Sequence, residues 1–210
     1  TTDIDATVLS AIGAKTSGAI TVTNAIDIAG TADEVTAALV TDDTLVVAST
    51  ATVTISGNPS ISALNAIAAK TDGVVTATLA ADSLSNLGAL TTAGTDVITI
   101  TVNDNAEADV TASDLSTLGG KTAGVVTVSN AVDISGTASE LTAALVTDDT
   151  LVVAGTATAN ITDEATTDID ATVLSAIGAK TSGQVTVTNA IDISGTTAEV
   201  TAALVTDDTL

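Results

Sequence analysis

The chain has 210 residues, 26 acidic side chains against four lysines, a net charge of −22, and no Phe, Tyr, Trp, His, Cys, Met or Arg. That charge repels nucleic acid, and no aromatic ring is present to stack on bases. An anionic membrane surface is disfavoured in the same way, whereas multivalent cations and salty media are compatible surroundings.

Without cysteine there is no disulfide and no thiolate metal site. No apolar run reaches membrane-spanning length. The first residue, Thr1, is not followed by the basic and apolar regions of a signal peptide. The missing Met points to a processed piece or a window cut from a longer chain. Apolar residues make up 45% of the sequence, enough for a core, so disorder is not expected. They are Val, Ile, Leu and Ala only, so the core is expected to be thin, because aromatic rings fill the wider spaces between layers.

Taken in chain order, the first helical signal pairs Val8 with Ile12 on one face. Lys15 and then Gly18, in "GAKTSG", are expected to close this helix. Lysine suits the negative helix end, and glycine tolerates a left-handed turn. A strand follows at "AITVTN" (19–24), with a second short one at "AIDIAG" (25–30), both alternating apolar with polar. In "TADEVTAALV", Thr31 and Glu34 make a capping box, and Val35 and Leu39 share a face. Further strands are predicted at "TLVVAS" (44–49), "VVTATL" (74–79), "DVITIT" (96–101) and "VVTVSN" (125–130), with a short companion at "AVDISG" (131–136). Thr137 with Glu140 repeats the capping box, and Leu141 pairs with Leu145. "TLVVAG" (150–155) is the next strand. Val173 with Ile177 repeats the first helix, "QVTVTN" (184–189) its strand, and Thr196 with Glu199 the box, with Val200 and Leu204 on one face.

Residues 1–45 and 166–210 are identical except at 19, 20, 29, 32 and 33, an offset of 165. All four lysines fall in one phrase: "GAKTSG", "AAKTDG", "GGKTAG" and "GAKTSG", at Lys15, Lys70, Lys121 and Lys180. A second phrase, "VTDDTL", falls between, with "LTTAGTDVI" (90–98) as its degenerate form. Two unit types thus alternate, each of about 22–34 residues. One such unit cannot bury its apolar face alone, and stacking can. The expected fold is an α/β repeat: a right-handed parallel β/α solenoid loosely like leucine-rich repeats, with about eight coils of two alternating types. Residues 1–210 form a single solenoid segment. The chain enters and leaves without capping units, which points to a window of a longer tandem array, or to end-to-end polymerisation through open faces. Asn24, Asn130 and Asn189 close equivalent strands, where they either bond backbone across coils or serve as turn residues.

The phrases "TVTNAIDISGTTAEVTAAL" (186–204) and "TVSNAVDISGTASELTAAL" (127–145) resemble repeats in the giant, Thr/Ala/Val/Asp-rich secreted surface proteins of marine cyanobacteria, including the type linked to swimming motility. The resemblance covers most of the chain. It implies an extracellular surface layer or filament component with a role in motility or adhesion, and it brings no catalytic motif.

Oxygen-rich positions are the candidate sites. Asp42/Asp43, Asp148/Asp149 and Asp207/Asp208 recur at one turn. "NDNAEAD" offers Asn103, Asp104, Asn105, Glu107 and Asp109, and "TDEATTDID" offers Asp163, Glu164, Asp168 and Asp170. Carboxylates of this kind suit calcium, though neither loop has the glycine and spacing of an EF-hand. The alternative is solvated turns. Thr21/Thr23, Thr76/Thr78, Thr99/Thr101 and Thr186/Thr188, with Thr127/Ser129, form the pattern of an ice-binding ladder, or simply the solvent face of strands. No His, Cys, Tyr or Arg is present to act as base, nucleophile or clamp, and lysines repeated four times fit structure better than a singular active site. The expected function is therefore non-enzymatic: a stiff acidic rod or scaffold whose partners are neighbouring repeats or other copies of itself. A calcium-dependent adhesin module or an ice-binding solenoid is the alternative.

Overall fold

The computed structural model describes residues 2–41, 46–147, 150 and 152–205. Short strands and helices alternate through them. In order they are β1 (Asp3–Asp5), α1 (Ala6–Gly13), β2 (Ile20–Thr21), β3 (Asp27–Thr31), α2 (Ala32–Leu39), β4 (Val46–Val47), β5 (Thr52–Ser56), α3 (Ile61–Ala68), β6 (Val75–Thr78), α4 (Leu84–Leu87), β7 (Val97–Val102) and β8 (Asp109–Thr111). There follow α5 (Ala112–Gly119), β9 (Val126–Val128), β10 (Asp133–Gly136), α6 (Ala138–Leu141), a π-helical turn (Thr142–Val146), β11 (Val152–Val153), β12 (Thr158–Ile161), β13 (Asp168–Asp170), α7 (Ala171–Gly178), β14 (Val185–Val187), β15 (Asp192–Ser194) and α8 (Thr197–Leu204). The fold is α/β, and among the described residues every strand pairing is parallel.

The chain forms two compact units. The first takes the described residues up to Ala80, with Ala89–Ile100 and Lys121–Gly124. Its sheet runs β1-β3-β5-β6-β7, beside a separate β2-β4 pair. Register aligns like with like: Ile4 faces Ile28, Ile28 faces Val53, and Val53 faces Val75. Ile28, Val53 and Val75 are fully buried. The second unit takes Ala81–Gly88, Thr101–Gly120 and the described residues from Val125 onward. Its strands run β8-β10-β12-β14, with β9-β11 and β13-β15 as pairs. Here Val110, Ile134, Ala159 and Val185 make the matching buried row. Narrow β-branched and alanine side chains fill both rows, so the core closes without an aromatic ring.

β5 and β12 change the phase of the pairing. β5 lies between β3, which leads into a helix, and β6, which leaves one. β12 does the same between β10 and β14. Neither strand was among the predicted ones, although "TVTIS" alternates plainly. The predicted strands are present but shorter than expected at 19–24, 44–49 and 150–155, where only Ile20–Thr21, Val46–Val47 and Val152–Val153 pair.

Each α-helix among the described residues begins at a side chain that caps it. Asp5, Thr31, Ser60, Ser83, Thr111, Thr137, Asp170 and Thr196 each accept a backbone N–H of the first turn. The capping boxes expected at Thr31/Glu34, Thr137/Glu140 and Thr196/Glu199 all form. Val35, Leu39, Leu141 and Leu145 are buried as expected. Val8 and Ile12 are not: both are half exposed, and α1 buries Leu9 and Ala6 instead.

The helix ends differ from expectation. The lysines stand beyond the last turn, and the glycines of the lysine phrase are not left-handed. Among the described residues only Gly57 and Gly195 are glycines with positive φ. Gly73, Gly124 and Gly183 are required by contact. A Cβ on them would lie 2.1 Å from the Ala51 carbonyl oxygen, 2.3 Å from that of Ile98 and 2.1 Å from that of Ala157. Replacing Gly73 with Ala is therefore expected to destabilise the protein by about 3 kcal/mol, because backbone cannot yield as a flexible side chain does. Gly155→Ala, where a Cβ meets nothing within 4 Å, is expected to be close to neutral. Chemical denaturation of the two variants against the parent checks both.

Candidate functional site

The lysine phrase is the best-defined polar device in the fold, and its working residues are the threonine and the glycine. After α3, the Thr71 hydroxyl donates to the Ala51 carbonyl (2.5 Å) and accepts from the Gly73 N–H (3.0 Å). Between them the Asp72 N–H donates to Ser49 O (2.8 Å). After α5, the Thr122 hydroxyl donates to Ile98 O (2.8 Å) and accepts from the N–H groups of Ile98 (2.8 Å) and Gly124 (2.7 Å). The Ala123 N–H donates to Asp96 O (2.7 Å). After α7, the Thr181 hydroxyl donates to Ala157 O, the Gly183 N–H donates back to Thr181 (3.0 Å), and the Ser182 N–H donates to Gly155 O (2.9 Å). At Thr16 the local half is present, with Gly18 N–H donating to the hydroxyl (3.1 Å). Each complete copy joins a turn to a carbonyl 20 or 24 residues earlier, in or immediately before a strand. Thr122 is 1% exposed and Thr181 9%. Lys, Thr and Gly are constant in all four phrases, and that was the available signal.

The two acidic loops are one device used twice. Asp104 Oδ2 accepts the Leu84 N–H (2.7 Å) and Asp163 Oδ2 the Ala138 N–H (2.6 Å), so each carboxylate sits at the first residue of an earlier helix. The Asn130 amide donates to Asp104 O (2.6 Å) and to Asn103 Oδ1 (3.0 Å), and the Asn189 amide donates to Asp163 O (2.7 Å). Of the two readings of these asparagines, bonding to an earlier loop is the one realised. Asn24 is exposed. Glu107 and Thr166 take positive φ, 62° and 68°, and their N–H groups donate to Ala131 O and Ala190 O. Asn105 O accepts from Ala108 N–H, Asp109 opens β8 opposite Asp133, and Asp168 opens β13 opposite Asp192. Asp170 caps α7. Asp42, Asp43, Asp148 and Asp149, with Asp207 and Asp208, lie outside the described residues. Among the described residues no three acidic side chains gather around a common metal position.

Hydrogen bonds to the ionised form hold several exposed carboxylates below their ordinary range. For Asp5 and Asp170 the main cause is the hydroxyl of Thr7 or Thr172, and for Asp82 the Asn86 amide. For Glu140 it is the backbone N–H of Thr137.

A cleft of about 350 Å³ opens in the first unit beside Asn65, Thr71, Asp72 and Asp96. Asp96 is 4% exposed, and its two oxygens accept Val75 N–H (2.8 Å) and Ala93 N–H (2.9 Å). Asn65 donates to Ala89 O (2.9 Å) and accepts Thr91 N–H (2.8 Å). The polar side chains of the cleft thus hold the 89–96 segment in place of a "VTDDTL" phrase. No sequence pattern marks Asp96, which stands alone in the degenerate phrase "LTTAGTDVI".

The threonine pairs do not make a continuous lattice. Thr54 faces Thr76, and Thr78 faces Thr99. But Thr76 also faces Val97, Thr54 faces Ala29, and Thr21 faces Val47.

Comparison of the chain with protein-family models, with curated proteins and with solved structures finds no match.

Two measurements test this reading of the polar groups. Thr122→Val keeps the shape but leaves buried backbone groups unpaired, and is expected to lower stability by about 1–3 kcal/mol, with Thr122→Ser close to the parent. Glu140, held below its ordinary value of 4.5, stabilises the fold above that pH and ceases to as pH falls through the lower folded value. Glu140→Gln is accordingly expected to be less stable than the parent at neutral pH. That difference should shrink below pH 4.5 and close in stronger acid, as denaturation curves across pH will show.

Proposed function

We propose that this chain is a non-enzymatic structural repeat region of a large extracellular cell-surface, filament or layer protein. In this reading the units stack as a right-handed parallel β/α solenoid, loosely like leucine-rich repeats, and act as a stiff acidic spacer. The observation that carries it is the recurrence of one polar device. The threonine–glycine clamp joins a turn to an earlier strand at Thr71, Thr122 and Thr181. An active site is singular, whereas these groups repeat with the sequence and are saturated by backbone. The surface supports the same view. It is acidic, lacks the Trp, Tyr and Arg that anchor specific partners, and presents few lysines to proteases that cut at them. The resemblance to secreted surface proteins adds motility or adhesion as the setting.

The mass and location of the native polypeptide test the proposal. An antibody raised against the segment is expected to detect a species far larger than 20.2 kDa, released when intact cells are treated with protease. A polypeptide near 20 kDa that stays inside protected cells would sink it.

A further inference from the structure

The lysine phrase reads Lys-Thr-x-Gly, and at three of its four copies the structure makes the glycine compulsory. At Gly73, Gly124 and Gly183 a Cβ would run into the carbonyl of an earlier residue. The chemistry of the turn is therefore set by the residue standing before the glycine. That residue is Ser17, Asp72, Ala123 and Ser182 in the four phrases. Serine and alanine side chains offer no carbonyl carbon to a neighbouring nitrogen, and Asp72 does. Asp72–Gly73 is the one Asp-Gly step in the 210 residues, and no Asn-Gly step occurs.

An Asp-Gly step can close on itself, because glycine has no side chain to hinder its own nitrogen. The Gly73 nitrogen attacks Cγ of Asp72 and a C–N bond forms. The N–H hydrogen and the hydroxyl of the carboxylic acid leave together as water. Water then opens the five-membered imide at one of its two carbonyls. Opening at one restores Asp72. Opening at the other leaves isoaspartate, whose main chain runs through the former side chain and is one atom longer. The water released in the first step matches the water consumed in the second, so no other reactant is needed.

The fold holds this reaction back. The Asp72 side chain is exposed, but the backbone around it is fixed. The Asp72 N–H donates to Ser49 O (2.8 Å), and the Gly73 N–H donates to the Thr71 hydroxyl (3.0 Å), which itself donates to Ala51 O (2.5 Å). The attacking nitrogen is thus engaged as a donor, while its Cα presses on the Ala51 carbonyl. Turning that nitrogen toward Cγ of Asp72 requires the clamp to open. Once isoaspartate has formed, an extra main-chain atom lies between the two N–H groups that the clamp positions, and it cannot close in the same register.

We propose that Asp72 is a site of spontaneous isomerisation gated by the threonine–glycine clamp, so that each conversion follows an opening of the turn and prevents its reclosure. The inference rests on the clamp geometry and not on the spacer reading, and it holds or fails independently of it.

Incubation of the folded 210-residue chain at neutral pH is the test, with the freed α-carboxylate labelled by an isoaspartate-specific methyltransferase. The label is expected in the tryptic peptide 71–121. It is expected to be lost in Asp72→Ser, which restores the phrase found at Lys15 and Lys180. The unfolded peptide AAKTDGVVTA (68–77) is expected to convert at least about tenfold faster than the folded chain, because local opening limits the latter. Thr71→Val keeps the shape and loses the hydroxyl, and is expected to convert about tenfold faster than the parent, with Thr71→Ser close to the parent. If Thr71→Val loses its circular-dichroism spectrum, the parent in urea below its unfolding transition takes its place, and its rate is expected to rise with urea. A parent that converts as fast as the peptide overturns the proposal. So does a Thr71→Val chain that converts no faster than the parent, a parent rate indifferent to urea, or a label undiminished in Asp72→Ser.

Discussion

The fold depends on one small contact: a glycine Cα pressed against the carbonyl of an earlier strand, with a threonine hydroxyl clasping the same carbonyl. At Gly73, Gly124 and Gly183 there is no room for a Cβ. The close approach brings the turn within reach of that strand, and the threonine two residues before pairs the carbonyl which the approach would otherwise bury unsatisfied. Steric fit and polar satisfaction come from the same three residues. Removing either leaves the other without purpose, because an unpaired buried carbonyl costs about as much as the hydrogen bond it lacks.

A thin core makes this economy necessary. Val, Ile, Leu and Ala bury less area per residue than aromatic rings, so less hydrophobic free energy is available to offset a poorly satisfied backbone. The chain responds at the start of every α-helix among the described residues. Each has a side-chain cap, and Leu84 and Ala138 receive a carboxylate from a later loop as well. The buried Asp96 serves the same end. It sits where a repeat phrase has degenerated, and it ties Val75 and Ala93 into the first unit.

The parts legible in the sequence were those fixed locally. A capping box needs only Thr and Glu three apart, and all three boxes formed. Strand positions followed from alternation, but strand ends did not, because pairing partners set them. β5 and β12 escaped notice because their role is to change pairing phase, a property of neighbours rather than of composition. The glycines were assigned to the wrong cause: positive φ and close approach both select glycine, and only the fold distinguishes them. The acidic loops read as oxygen clusters in the sequence, whereas Asp104 and Asp163 each aim one oxygen at the start of an earlier helix. α1 and α7 mark the limit of such reading. With identical residues they differ at Ile12 and Ile177 from half exposed to fully buried, so no rule based on local sequence could have assigned both.

Part of the acidic composition follows from the same economy of caps. A helix N-terminus carries a partial positive charge and free N–H groups, and a carboxylate meets both needs at once. Asp5, Glu34, Asp104, Glu140, Asp163 and Asp170 all accept backbone N–H groups at such ends. Where the bond lowers the pKa, as at Asp5, Glu140 and Asp170, the charge is stabilised by the fold rather than merely tolerated. Repeats that start a helix in this way add carboxylates with it, so negative charge accumulates as such repeats accumulate.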